Sequence, residues 1–427
     1  GEDKPELILT VTGPDGNDVT SLPGLTYKAV QDRENKSISG FDVTTTNGLI
    51  TIANKKTISA TQATPSKEEQ YTLKLTFVNY EGDQTENATS TLSAKVMIQK
   101  EKIVQTIANV CKNGQSLSSC IAAMNGIDET LYHHNTTLTN GANDNSYRFA
   151  GASDQVNNYV CFGSSEASCP TDNLYRIIGV FDNKIGDNQT EQRVKLIKSD
   201  YATSALLGTD GDYSKMYTAI GYDSSNYKGN NLANIAAYYW NKSTSKNTWS
   251  MSNLNKTNLN QNFITNIGAD WASKIAETTW KVGGNTASNI ESQPAKPVYQ
   301  NEVVQPDPGE YSSNGETQLN AKIGLMYASD YGFAAAPSAW TTKLILYSGE
   351  TIKNVNWMYM GLKEWTISRS ADFQSRVFNV YESGHVTCSS NISHATFAFG
   401  VRPVFSLTSS VTYVEGDGTQ SSPIRIN

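Results

Sequence analysis

Between Ser370 and Phe399 the chain gathers side chains that can titrate, stack and exchange hydrogen bonds: imidazoles at His385 and His394, a thiol at Cys388, carboxylates at Asp372 and Glu382, a guanidinium at Arg376 and a phenol at Tyr381. Nucleophilic catalysis needs a nucleophile, a base and a group that orients the base, and Asp372, Arg376, His385 and His394 have no spacing that supplies that series. Cys388 has no second thiol near it. No CxxC pair and no Cys/His cluster offers zinc ligands. His133 and His134 are adjacent, so a regular backbone points them apart, and with Asn135 they read as a solvated turn. The expectation is of no cofactor and no catalysis.

The same stretch is well suited to contact. Tyr, Phe and His give large contact area at low entropy cost, while Ser, Thr and Asn adapt their hydrogen bonds. The candidate ligand-binding residues are Ser370, Asp372, Phe373, Ser375, Arg376, Tyr381, His385, Thr387, Ser389, Ser390, His394, Thr396 and Phe397. Phe378 and Val380 share one strand parity and read as core, as does Phe399 beside Gly400. Arg402, set among Gly, Val and Pro, is expected to pair with a buried carboxylate and brace the last strand.

The whole chain limits the partners. Its 427 residues exceed what one core supports, so two or three domains are expected. The net charge is -7 and the 34 basic residues form no stripe, which argues against nucleic acid. No apolar run approaches the roughly 18 residues of a membrane helix, so direct membrane insertion is not expected. Gly1-Glu2-Asp3-Lys4-Pro5 lacks the regions of a signal peptide and reads as a trimmed mature end. Charged residues are 18% of a chain heavy in Asn, Ser, Thr and Tyr, a composition that favours extracellular, cell-surface β-rich modules. Cys111 with Cys120 and Cys161 with Cys169 are close enough to form two disulfides, each closing a loop of about ten residues and contributing roughly 2 to 3 kcal/mol.

The elements that must position the C-terminal residues follow from hydrophobic period. Residues 1–100 carry short alternating runs at Leu7 to Thr12, Leu25 to Val30, Leu49 to Ile52, Tyr71 to Val78 and Leu92 to Ile98, which suggest an immunoglobulin-like β-sandwich. Residues 101–125 change period: Ile103, Ile107 and Val110, then Leu117, Ile121 and Met124, predict a junction of short helices broken at Asn113-Gly114. Residues 126–427 read as one α+β domain. It holds a strand pair at Tyr175 to Phe181 and Val194 to Lys198, amphipathic helices over Asn258 to Trp280, and a long surface loop over Gln293 to Thr317. Further strands are expected at Ala321 to Ser329 and Lys343 to Tyr347.

The end of the chain is more specific. Trp357-Met358-Tyr359-Met360-Gly361, Trp365-Thr366-Ile367-Ser368-Arg369, Val377-Phe378-Asn379-Val380, Gly384-His385-Val386 and Gly400-Val401-Arg402-Pro403-Val404 form an ordered series of strand cores between polar loops. That series resembles the C-type-lectin-like fold of bacterial surface proteins, which includes formylglycine-generating-enzyme-like domains and the variable proteins of diversity-generating retroelements. The resemblance implies a fold in which these strands frame a binding face. Calcium-dependent sugar-binding lectins follow a loop like Gln305-Pro306-Asp307 with Trp-Asn-Asp, which is missing here, so no calcium site is expected. Enzymes of the formylglycine-generating type use activated cysteine, and only Cys388 is in the area. Retroelement diversification gives no Lys or Met, and neither occurs from Ser370 to Phe399; Gln374 and Glu382 would be fixed positions.

The resemblance therefore implies a surface-displayed adhesin or receptor-binding protein of a bacterium or phage, its C-type-lectin-like head recognising a protein or glycan on another cell surface. A minor pilin or surface-layer subunit is the structural alternative, and an enzyme of the formylglycine-generating type the catalytic one.

Overall fold

The computed structural model describes residues 7–12, 29–32, 37–41, 70, 72–77, 106–186, 189–306, 316–389 and 394–427. The chain divides into two compact units, Gly1–Ile103 and Val104–Asn427, and the fold is mixed α+β.

In the first unit, β1 (Leu7–Thr12), β2 (Ala29–Asp32), β3 (Ser37–Phe41) and β4 (Thr72–Phe77) form an antiparallel sheet of order β3-β2-β1-β4. The alternation that predicts β4 also sets its pairing, which runs unbroken from Leu7↔Phe77 to Thr12↔Thr72. Of the run Leu25 to Val30, Ala29 and Val30 fall in β2 and the rest lies outside the described residues, as do the runs Leu49 to Ile52 and Leu92 to Ile98.

The second unit opens with α1 (Ile107–Val110) and α2 (Leu117–Ala123). Gly114, at φ +83°, turns the chain between them at the expected break. Cys111 and Cys120 are disulfide-bonded, and Ile107, Leu117, Ile121 and Met124 are buried in this unit's core. Both helices are thus part of the second unit.

Its strands in chain order are β5 (Leu131–His133), β6 (Tyr147–Phe149), β7 (Tyr159–Cys161), β8 (Leu174–Gly186), β9 (Gln189–Lys198), β10 (Tyr213–Met216), β11 (Ala236–Tyr239), β12 (Thr278–Lys281), β13 (Gly284–Asn285), β14 (Gln318–Ala321) and β15 (Ile323–Gly324). They continue with β16 (Glu364–Ser370), β17 (Val377–Val380), β18 (Val386–Thr387), β19 (Ala398–Phe399), β20 (Val404–Ser406), β21 (Tyr413–Glu415) and β22 (Arg425–Ile426). The largest sheet has the order β15-β20-β9-β8-β6-β5, with β7 also on β8. Its spine is the expected hairpin, longer than its apolar cores because the strands pair through Gly186↔Gln189. A second disulfide joins Cys161 to Cys169 beside β7. Two smaller sheets carry the C-terminal residues of interest, β13-β16-β17-β18 and β10-β11-β19.

Several expected elements differ. Asn258 to Trp280 divides into a π-helical segment Leu254–Phe263, short helices Ile264–Asn266 and Ala269–Ser273, and β12, which contains Trp280; Gly268 at φ +87° ends the helical run. Ala321 to Ser329 ends in a helix, Ala328–Phe333, and Lys343 to Tyr347 forms a 3-10 turn, Leu344–Leu346. Short buried apolar runs do not distinguish strand from helix by period alone. Trp357 to Gly361 is no strand; Trp357, Met358 and Tyr359 are buried, and Trp357 Nε1 donates to Phe149 O at 2.8 Å. Gln293 to Thr317, expected as loop, carries a helix Ala295–Tyr299 and a helical turn Gln300–Val304 with Glu302 buried, while 307–315 lie outside the described residues.

The Gly-Val-Arg-Pro segment locks these sheets together. A Cβ on Gly400 would stand 2.7 Å from Tyr201 Cδ1, so only glycine permits that approach. Arg402, 1% exposed, donates from Nε to Glu364 Oε1 at 2.7 Å and from Nη2 to Glu364 Oε2 at 2.9 Å and to Met358 O at 2.8 Å. Arg402 thus finds the buried carboxylate expected of it, on the first residue of β16.

Candidate functional site

The candidate residues lie in three segments around β17. The Ala371–Arg376 loop leads into β17, the Tyr381–His385 turn leads out of it, and the chain after β18 returns toward the first loop, since Val380 pairs with Val386 and Asn379 with Thr387. An antiparallel bridge, Arg376↔His394, and a bond from Ala395 N to Ser375 O of 2.7 Å join the returning segment to the first loop. Asp372, Phe373, Ser375, Arg376, His394, Thr396 and Phe397 therefore form one group. Tyr381 and His385 form another at the far end of the strand, roughly 13 Å away at 3.3 Å per residue.

The first group is held by a residue that sequence reasoning did not single out. Asn247 is buried, and its Nδ2 donates to the carbonyls of Ser370, Phe373 and Arg376 at 2.9, 2.9 and 2.8 Å. Its backbone N donates to Gln374 O at 2.7 Å. The loop so fixed exposes Phe373 and Gln374 and lays the Arg376 guanidinium 3.6 Å over the Phe373 ring. Thr396 Oγ1 and His394 Nδ1 share a hydrogen bond of 2.7 Å, fixing the imidazole beside Phe397, with ring centroids 6.4 Å apart.

In the second group, Gly384 at φ +101° closes a tight turn in which Tyr381 N donates to His385 O at 2.8 Å. The Tyr381 and His385 rings are 5.0 Å apart. Burial lowers the His385 pKa, which favours a neutral imidazole at pH 7. Lys363 Nζ lies 4.4 Å from the Tyr381 ring centroid, 4.1 Å from that of Tyr222 and 3.7 Å from Glu382 Oε2. Burial lowers its pKa too, while burial and the Glu382 charge push the Tyr222 phenol up.

A row of rings connects the groups. Phe397 stacks on Phe399 at 6.4 Å, Phe399 meets Tyr222 at 5.7 Å, and Lys363 bridges Tyr222 to Tyr381. Tyr222 and Lys363 were not anticipated. Tyr222 comes from a loop far upstream and carries no sequence signal of the contact.

Some candidates do not serve as surface contacts. Ser370 and Thr387 are 1% and 3% exposed, so they brace the loops from within: Ser370 Oγ donates to Asp372 Oδ1 at 2.6 Å, and Thr387 Oγ1 to Glu291 Oε1 at 3.0 Å. Ser389 is half-buried, and its backbone N donates to Thr387 Oγ1 at 3.3 Å. Ser390 lies outside the described residues. Cys388 is a free but buried thiol, and burial pushes its pKa far up, withholding the thiolate that cysteine chemistry requires.

His134 also departs from its reading as a solvated turn. It is fully buried against Phe333 and Trp340, and its Nδ1 accepts from Ala142 N at 2.9 Å. Among the described residues no group of three His, Cys, Asp or Glu is placed to hold a metal ion, and no helix is long and apolar enough to cross a membrane. Two depressions of about 330 and 430 Å³ are lined by other residues, so the candidate residues form a face and line neither hollow. Compared with known proteins, the chain matches no family model, no curated protein and no solved structure.

Proposed function

We propose that the face formed by Phe373, Arg376, Tyr381, His385, His394 and Phe397, with Tyr222 and Lys363 between its two ends, is a recognition surface for a protein or glycan on another cell. The observation that carries this reading is the Asn247 clamp. It fixes a loop whose apolar ring is turned to solvent, and a pre-ordered aromatic contact loses less entropy on binding than a mobile one. The polar groups around the rings, the imidazoles and a guanidinium, supply the directional bonds that set specificity, while the buried Lys363 holds Tyr222 and Tyr381 in place.

In this reading the second unit is a C-type-lectin-like head and the first an immunoglobulin-like stalk, and the chain is displayed on the surface of a bacterium or phage. The two disulfides accord with an oxidising compartment. The absence of Lys and Met from Ser370 to Phe399 adds the prospect of loops diversified by a retroelement. That prospect has a direct genomic test: a near-copy of this coding segment beside a reverse transcriptase, differing at adenines, supports it, and its absence reduces the face to a fixed adhesin. Recognition itself is tested by binding to cell-surface protein and glycan arrays, which the Phe373→Ser/Tyr381→Ser double variant should lose and Lys184→Gln, on the exposed end of the β8–β9 hairpin in another sheet, should keep.

A further inference from the structure

Away from that face, the core of the second unit encloses a charge cluster that recognition does not use. Lys195 of β9 and Asp330 of the Ala328–Phe333 helix are 135 residues apart in sequence, yet Lys195 Nζ lies 2.5 Å from Asp330 Oδ2. Their side chains are 9% and 2% exposed. The rings of Tyr327, Phe181 and Trp280 surround the ammonium, with centroids 4.9, 5.2 and 5.7 Å from Nζ. An ammonium has three protons to place, and among the described residues Asp330 is the one acceptor bonded to this one. Arg148 Nη1 is 3.4 Å from the other carboxylate oxygen, Asp330 Oδ1. Glu302, 1% exposed, binds the same helix start, its Oε1 accepting from Ala328 N at 3.2 Å and its Oε2 from Ser329 N at 3.1 Å.

We infer that Lys195 and Asp330 condense spontaneously into an intramolecular amide that staples the central sheet to the Ala328–Phe333 helix. The ammonium first passes a proton to Asp330 Oδ2, leaving a neutral amine and a carboxylic acid. The nitrogen lone pair then attacks Asp330 Cγ while Arg148 holds the charge developing on Oδ1. The Cγ–Oδ2 bond breaks, and Oδ2 leaves as water with its own proton and one from the nitrogen. One C–N bond forms, one C–O bond breaks, one water is released, and the net charge stays at zero.

The surroundings favour each stage. Burial lowers the Lys195 pKa, which raises the share of free amine, and Glu302, by accepting from Ala328 N and Ser329 N, holds the helix start that presents Asp330 to it. The product replaces a desolvated ion pair by a neutral amide, whose single N–H suits a site with so few acceptors. Excluded water would slow the reverse reaction. The staple is independent of whether the C-terminal face binds a ligand.

Mass spectrometry of the full chain, after disulfide reduction, tests it. The expected mass is one water below that of the sequence, and digestion yields a branched peptide joining the Lys195 and Asp330 fragments. Lys195→Arg should show the full mass. Arg148→Gln, folded by circular dichroism, should leave most chains unlinked, whereas linkage at the wild-type level would overturn the role of Arg148. A wild-type chain at full sequence mass, or a lost water mapped to other residues, overturns the amide whether or not the variants fold.

Discussion

Arg402 grips Glu364 through two hydrogen bonds of 2.7 and 2.9 Å, with both side chains almost wholly buried. The pair ties the Gly-Val-Arg-Pro segment to the start of β16, whose partner strand β17 carries the loops of the proposed face at its two ends. Scaffold and face therefore share one electrostatic joint.

Breaking that joint from one side should be costly. Arg402→Met leaves the Glu364 carboxylate buried without its partner, for which a loss of about 3 to 5 kcal/mol is expected. Denaturant unfolding measures it. Because burial raises the Glu364 pKa while Arg402 opposes the shift, Glu364→Gln in the Arg402→Met background should recover part of the loss. A single-variant loss below about 1 kcal/mol, the range of exposed pairs, would remove the joint from the account.

The Asn247 clamp predicts a local effect. Asn247→Ala removes the side-chain amide whose two protons serve three carbonyls and should cost roughly 1 to 3 kcal/mol, with amide exchange rising in residues 370–376 more than in the β8–β9 hairpin. Uniform exchange across the unit would mean that Asn247 serves the whole core and not the loop.

His134 predicts a pH dependence. Burial, then the Arg148 charge, lowers its pKa from 6.5 to about 2, so the folded state keeps the ring neutral while the unfolded chain binds a proton below about 6.5. Stability from this group is present above that value and lost as pH falls, by up to roughly 1.4 kcal/mol per pH unit. Between pH 6 and 4.5 the wild type should lose stability faster than His134→Asn, which keeps an acceptor for the Ala142 N–H. Parallel unfolding curves would show that the ring is charged in the fold.

The Cys161–Cys169 bond closes a short loop beside β7, and replacing both residues by Ser should cost about 2 to 3 kcal/mol. Thermal unfolding with and without reductant checks the size.

What the sequence made legible was what local pattern determines. The two-residue period of Thr72–Phe77 and the apolar cores of β8 and β9 are read directly, and the close spacing of Cys111 with Cys120 and of Cys161 with Cys169 pointed to the pairs that the structure bonds. Arg402 was legible because a cation among Gly, Val and Pro must find an anion if it is buried. Asn247 was not, since its role depends on carbonyls 123 to 129 residues downstream, and no property of an Asn-rich segment marks that distance. Ser370 and Thr387 misled for the opposite reason: hydroxyls in a polar run look exposed, and only tertiary packing shows them turned inward. The Lys195–Asp330 contact joins a strand to a helix start read as strand, so its geometry could not be foreseen.

The central claim is that the clamped loop and the aromatic row are a binding face, and quantitative binding of the double variant tests it most directly. On cell-surface protein and glycan arrays, Phe373→Ser/Tyr381→Ser should lose at least tenfold in affinity, about 1.4 kcal/mol, for any target the wild type binds, with unchanged unfolding. Equal binding by the two proteins would place recognition elsewhere on the chain.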